Sequence, residues 1–137
     1  MTRSERRYFN LAKAAAECSQ HPKFSIGCCI ISAHKIISVA NNQIKSHPIQ
    51  KKLNNLRFYD INDTSKDLLH AELAAILKVT NKEDLVGAVI FVYREDRNGH
   101  IACCRPCPAC MQKIKEVGIK VIYYTTRDGI CKEYLSK

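Results

Sequence analysis

Two β-branched runs, "FSIGCCIIS" and "KIISVANN", are joined by the short polar link "AHK". So short a link leaves an antiparallel hairpin as the pairing of two neighbouring strands, because a parallel pair needs a crossover of roughly a dozen residues. Beyond the hairpin, helix and strand alternate. "LLHAELAAILKV" predicts a helix with Asp67 or Ser65 as its cap. "GAVIFVYR" reads as a buried strand, and "CPACMQKIKEVG" as a helix stopped by Gly118. "KVIYYTT" is a further strand, "RDG" a turn, and "ICKEYLSK" a short helix or strand. Ahead of the hairpin, Phe9, Leu11, Ala12, Ala15 and Ala16 recur at helical spacing over residues 4–18, with Ser4 as the N-cap and "HPK" as the stop. A hairpin followed by alternating helix and strand implies an α/β fold, with a mixed sheet and helices on both faces. The polar segment over residues 43–67 interrupts the pattern, and loops of that length inside compact domains are usually functional.

A chain of 137 residues suits one domain with one core, spanning 1–137, and no internal repeat divides it. With no run of 18 or more apolar residues, a transmembrane helix is excluded. The basic start lacks a long apolar centre, so it reads as an amphipathic helix and not a signal peptide. Eight cysteines in such a chain argue for metal or thiol chemistry over a disulfide framework, and for a cytoplasmic location. The net charge of +9 favours an anionic partner, a nucleotide or nucleic acid, although a solvated basic surface accounts for it equally well.

The chemistry concentrates in two places. In "ACCRPCPAC", Cys107 and Cys110 stand at helical spacing near a helix start, with Pro106 suiting the entry. The positive end of the helix favours the thiolate, the form that binds zinc. The pair supplies two ligands of a tetrahedral site, so at least one more is needed. His70 in "LLHAELAAIL" is the best candidate, since it too starts a helix. One histidine and two cysteines leave a position open, which marks a catalytic zinc. Glu72 then has a role, because zinc lowers the pKa of bound water to about 7 and a neighbouring carboxylate can carry the proton. Spacing alone leaves a difficulty: residues two apart on an ideal helix point to nearly opposite sides, so Glu72 must curl back or the first turn must be distorted. A closed structural site, with Cys103 or Cys104 in place of His70, is the non-enzymatic alternative. Cys28 and Cys29 read as core.

The combination of "HAE" with "PCPAC", about 35 residues further on, resembles the signature of the cytidine and deoxycytidylate deaminase superfamily. The resemblance covers most of the chain and implies a three-layer α/β/α fold around a mixed sheet of about five strands. It implies one catalytic Zn2+ on His70, Cys107 and Cys110, with Glu72 shuttling protons. By the same resemblance Asn42 holds the sugar or the base edge, Ala71 lends backbone contacts to the base, and amides around Cys107 stabilise the exchanging group. "NNQIKSHPIQKKLN" is similar to small phage-type deoxycytidylate deaminases. Many relatives carry a glutamate where this chain has Arg105, and an arginine there either meets a phosphate or faces solvent. Relatives assemble as dimers, tetramers or hexamers, so a homo-oligomer is expected.

The implied reaction is hydrolytic loss of ammonia from a cytosine nucleotide, first of all dCMP. Lys45, His47, Lys51, Lys52 and Arg57 either supply charge-assisted hydrogen bonds to its phosphate or only keep the segment soluble. The alternatives are a base deaminase acting on single-stranded DNA or RNA, with Tyr123 and Tyr124 stacking an unpaired base, and a free nucleoside or guanine deaminase.

Overall fold

A computed structural model describes residues 2–19, 25–42 and 70–135. Its elements are helix α1 (Arg3–Glu17), strands β1 (Ser25–Ser32) and β2 (Lys35–Asn41), helix α2 (Ala71–Lys78), a single 3₁₀ turn at Lys82–Leu85, strand β3 (Val89–Glu95), helix α3 (Pro108–Glu116), and strands β4 (Val121–Thr126) and β5 (Gly129–Tyr134). The strands form one sheet in the order β2-β1-β3-β4-β5. β1 runs antiparallel to both β2 and β3, β3 and β4 are parallel, and β5 returns antiparallel to β4. The expected mixed sheet of five strands is therefore present, and the ambiguous tail is a strand. Its outward positions explain the ambiguity: Ile130 and Tyr134 stay exposed, so the alternation of burial is weak.

Each face of the sheet carries helix. Alternation along β1 sends Cys29 and Ile31 to one side, where they meet Phe91 and Tyr93 of β3 and Tyr8, Phe9, Ala12 and Ala16 of α1. Cys28 and Ile30 point to the other side. There they join Ile90, Val92 and Ile122 under Ala71, Ala75 and Ile76 of α2 and Ile114 of α3. Tyr123 belongs to the α1 layer, stacked on Phe91 with centroids 4.5 Å apart, while Tyr124 is buried on the opposite side. Both tyrosines thus pack against the body of the protein.

Local chemistry sets the helix ends. Thr2, not Ser4, caps α1: its hydroxyl accepts from the Glu5 amide at 3.1 Å, and the Glu5 carboxylate accepts from the Thr2 amide at 2.8 Å. Asp67 and Ser65, read as caps for α2, lie outside the described residues, and His70 itself holds the N-cap position. Gly118 stops α3 as expected, in the left-handed conformation at φ 91°. Among the described residues no helix is long and apolar enough to cross a membrane.

The α1 layer lies very close to β1, and Gly27 permits it. A Cβ there would fall 2.1 Å from the Ala12 carbonyl oxygen and 2.4 Å from the Ala16 nitrogen, both backbone atoms. Gly27→Ala must lift the helix off the sheet, at an expected cost of about 1–3 kcal/mol. Thermal unfolding measures this; an unchanged Tm would mean that α1 moves away without loss.

Candidate active site

α2 and α3 start on the same side of the sheet, and both starts are built from residues in extended backbone. His70 precedes α2 at φ −73°, ψ 152°, and Cys107 precedes α3 at φ −62°, ψ 162°. Pro108 occupies the first turn of α3, the position that sequence reasoning gave to Pro106. Cys110 follows in the same turn. The three side chains converge: His70 Nδ1 lies 3.2 Å from Cys110 Sγ and 3.5 Å from Cys107 Sγ, and all three donor atoms fall within 4.8 Å of one another. A nitrogen and a sulfur on one tetrahedral zinc stand about 3.6 Å apart, given bond lengths near 2.05 and 2.3 Å. One ring proton would serve a single sulfur. Two sulfurs gathered on the same nitrogen, at close to that spacing, are the donor set a zinc ion fits. It is the one such group found among the described residues, and it contains neither Cys103 nor Cys104.

Cys104 is occupied elsewhere. It is buried, with its sulfur 3.3 Å from the Val92 carbonyl and 3.2 Å from the Thr125 hydroxyl, and burial pushes its thiol up to about 12. Cys103 is exposed.

The extended backbone at His70 removes the difficulty over Glu72. His70 is not on the helix, so the two side chains are not held to opposite sides of it. Glu72 is 4% exposed. Burial raises its carboxyl to about 7; the His70 ring pulls it back down, and a hydrogen bond with Cys110 does the same. That bond brings the carboxylate to the donor group. The arrangement has the parts for water activation: three soft donors, a buried proton carrier beside them, and two helix N-termini whose partial positive charge favours developing negative charge.

The other expected site residues are placed unevenly. Ala71 is fully buried at the start of α2. Asn42 is buried just beyond β2. Its carboxamide oxygen accepts from the Ile26 amide at 3.0 Å and from the Ser19 hydroxyl, and its own amide donates to the Ile26 carbonyl at 3.0 Å. Those bonds hold it at the end of β1 from which Cys28 reaches Ala71. Arg105 forms a two-pronged pair with Glu133 of β5, Nε to Oε2 at 3.0 Å and Nη2 to Oε1 at 3.4 Å, with its side chain half exposed. Glu133 was not foreseen, since nothing in the spacing of the chain links residue 105 to the last strand. Lys45, His47, Lys51, Lys52 and Arg57 lie outside the described residues.

A family described as the cytidine and deoxycytidylate deaminase zinc-binding region matches this sequence over residues 2–126. The chain belongs to that family. Solved structures agree on the deaminase fold. A dCMP deaminase from the cyanophage S-TIM5 is similar with a TM-score of 0.63 and 23% identity, over 92% of this chain and 86% of that one. A cytidine deaminase from Burkholderia pseudomallei gives a TM-score of 0.63 at 20% identity, over 98% and 93% of the two chains. One from Mycobacterium leprae gives 0.54 at 21%, over 93% and 92%. At such identities the likeness is one of fold. No curated protein sequence matches the chain.

Proposed function

We propose that this deaminase-family chain, read as one domain over 1–137, is a zinc-dependent hydrolase that converts a cytosine nucleotide, dCMP first of all, to dUMP and ammonia. The observation that carries the reading is the convergence of His70, Cys107 and Cys110 with the buried Glu72 carboxylate against Cys110. His70, Cys107 and Cys110 would hold the ion, and zinc bound there would supply the Lewis acidity that makes water acidic enough to ionise at neutral pH. Glu72 takes a proton from the attacking water and gives it to the ring nitrogen. The oxygen bonds to the carbon that bears the amine, giving a tetrahedral centre. Glu72 then passes the second water proton to the amine, the carbon–nitrogen bond breaks, and ammonia leaves. Ala71 lines the base with backbone groups and Asn42 holds the sugar or base edge. Lys45 and Arg105 meet the phosphate.

A related fold supports the choice of substrate: the S-TIM5 dCMP deaminase has been solved in complex with dCMP and dUMP, with a TM-score of 0.59 and 21% identity to this chain. The charge of +9 favours the second reading, a deaminase of bases in single-stranded DNA or RNA. The packing of the two tyrosines counts against it, because Tyr124 is buried and Tyr123 already has one ring face stacked on Phe91. Eight cysteines, read as serving metal chemistry and core packing in place of a disulfide framework, are the ground for expecting a cytoplasmic setting. We expect a homo-oligomer, to be checked by solution mass.

A panel of dCMP, deoxycytidine, cytidine, guanine and oligonucleotides, scored for released ammonia, tests the reading. Turnover of dCMP with weak salt dependence is expected. Turnover of oligonucleotides alone, falling steeply with salt, would replace it with the polynucleotide reading.

Arg105 gives a separate prediction. A phosphate would draw the guanidinium from Glu133, so Arg105→Ala should raise KM for the monophosphate about tenfold and leave the nucleoside unchanged. An unaltered ratio between the two substrates would remove Arg105 from the phosphate site.

A further inference from the structure

The thiol of Cys28, on β1, donates to the carbonyl of Ala71 at 3.1 Å. Ala71 is the residue between His70 and Glu72, and both Cys28 and Ala71 are fully buried. We propose that Cys28 is a positioning residue of the active site, whose S–H holds the Ala71 peptide and through it sets His70 and Glu72 against the Cys107 and Cys110 sulfurs. The inference rests on the deaminase reading and adds to it a residue outside the motifs.

A backbone carbonyl has two lone pairs. At the first residue of α2 the helix ladder engages one, and the second faces the sheet, where Cys28 meets it. Without that donor, the first peptide of a helix whose N-cap side chain makes no capping bond loses its tie to β1. Tilt of that peptide moves the ring on one side and the carboxylate on the other. The donor is dependable: burial first, then the negative charge of Glu72, raises the Cys28 thiol far above its usual range, so it keeps its proton. Two neighbouring bonds set the comparison. Cys29 points to the opposite face and donates to the Tyr8 carbonyl at 3.4 Å, so the adjacent thiol fastens α1. Ser38 on β2 donates to the Ala75 carbonyl at 2.7 Å, the same kind of bond one turn further along α2 and away from the donor group.

The test compares Cys28→Val, Cys28→Ser and Ser38→Ala in the full chain. Its readouts are kcat and KM for dCMP, the visible d–d spectrum of the cobalt-substituted protein, and Tm. A displaced proton carrier costs rate far more than binding, so Cys28→Val should lower kcat about tenfold with KM nearly unchanged, and should shift the cobalt bands. Cys28→Ser, which keeps a donor, should recover most of the rate and the parent spectrum. Ser38→Ala should lower Tm while leaving kcat and spectrum alone. A Cys28→Val protein with native kcat and native cobalt bands overturns the proposal, as does an equal loss of rate in Ser38→Ala. If Cys28→Val fails to fold, Cys28→Ala is judged by the same criteria. Should the parent protein release no ammonia from any substrate, the deaminase reading fails, and the cobalt spectra alone decide the role of Cys28.

Discussion

Glu72→Gln is expected to leave the fold and one zinc per chain in place while ammonia release falls by about 10²–10⁴-fold. The amide has the shape of the carboxyl and keeps a hydrogen-bonding oxygen, yet it cannot take a proton from water and return it to the ring. Glu72 is almost wholly buried beside Cys110, and the donor group found among the described residues, His70, Cys107 and Cys110, contains no carboxylate that could replace it. Metal content, Tm and kcat measured on one preparation check all parts of the claim. Full activity in a zinc-loaded Glu72→Gln protein would show that the proton travels another way. A loss of zinc with the loss of rate would show instead that Glu72 belongs to the metal's support.

The second large effect concerns stability. His70 and the two cysteines come from helix starts far apart in the chain, so an ion held among them ties α2 to α3. A ligand present at about a thousand times its Kd stabilises the native state by about 4 kcal/mol. For a chain of this size that corresponds to a rise in Tm of about 10 °C. Chelator should therefore lower the Tm of the parent protein by that order. Cys110→Ala, which lacks one donor, should start near the chelated value and show no response to chelator. Equal Tm values for parent and variant, with and without chelator, would mean that the three donors do not hold a metal in the folded chain.

Much of this was legible from residues alone, and the misses have local causes. The hairpin and the alternation after it follow from the apolar runs and the short link between the first two, and β1 and β3 are covered on both faces, as runs of the buried type require. The donor trio was legible because "HAE" and "PCPAC" pair residue types of one chemistry with helix-start signals. How His70 and Glu72 share a site was not, because it depends on where the helix begins; an extended residue 70 and a helical residue 71 resolve it. The cap of α1 was misplaced by two residues since Ser4 and Thr2 both suit the role, and only the reciprocal bond with Glu5 separates them. Cys28 read as core, correctly, but its bond to Ala71 requires a strand and a helix 43 residues apart to meet. The pairing of Arg105 with Glu133 is hidden for the same reason.

The two helix starts that carry His70 and Cys107 lack any side-chain cap, whereas α1 has a reciprocal one. A serine or aspartate at such a position commonly contributes about 1 kcal/mol. That is less than the roughly 4 kcal/mol expected from an ion held by the same imidazole and thiol, so while metal is bound endurance and activity favour the same residues. Only a lineage deprived of the ion and selected for heat tolerance would exchange the imidazole and the thiol for caps, and its descendants would be sturdier and inert.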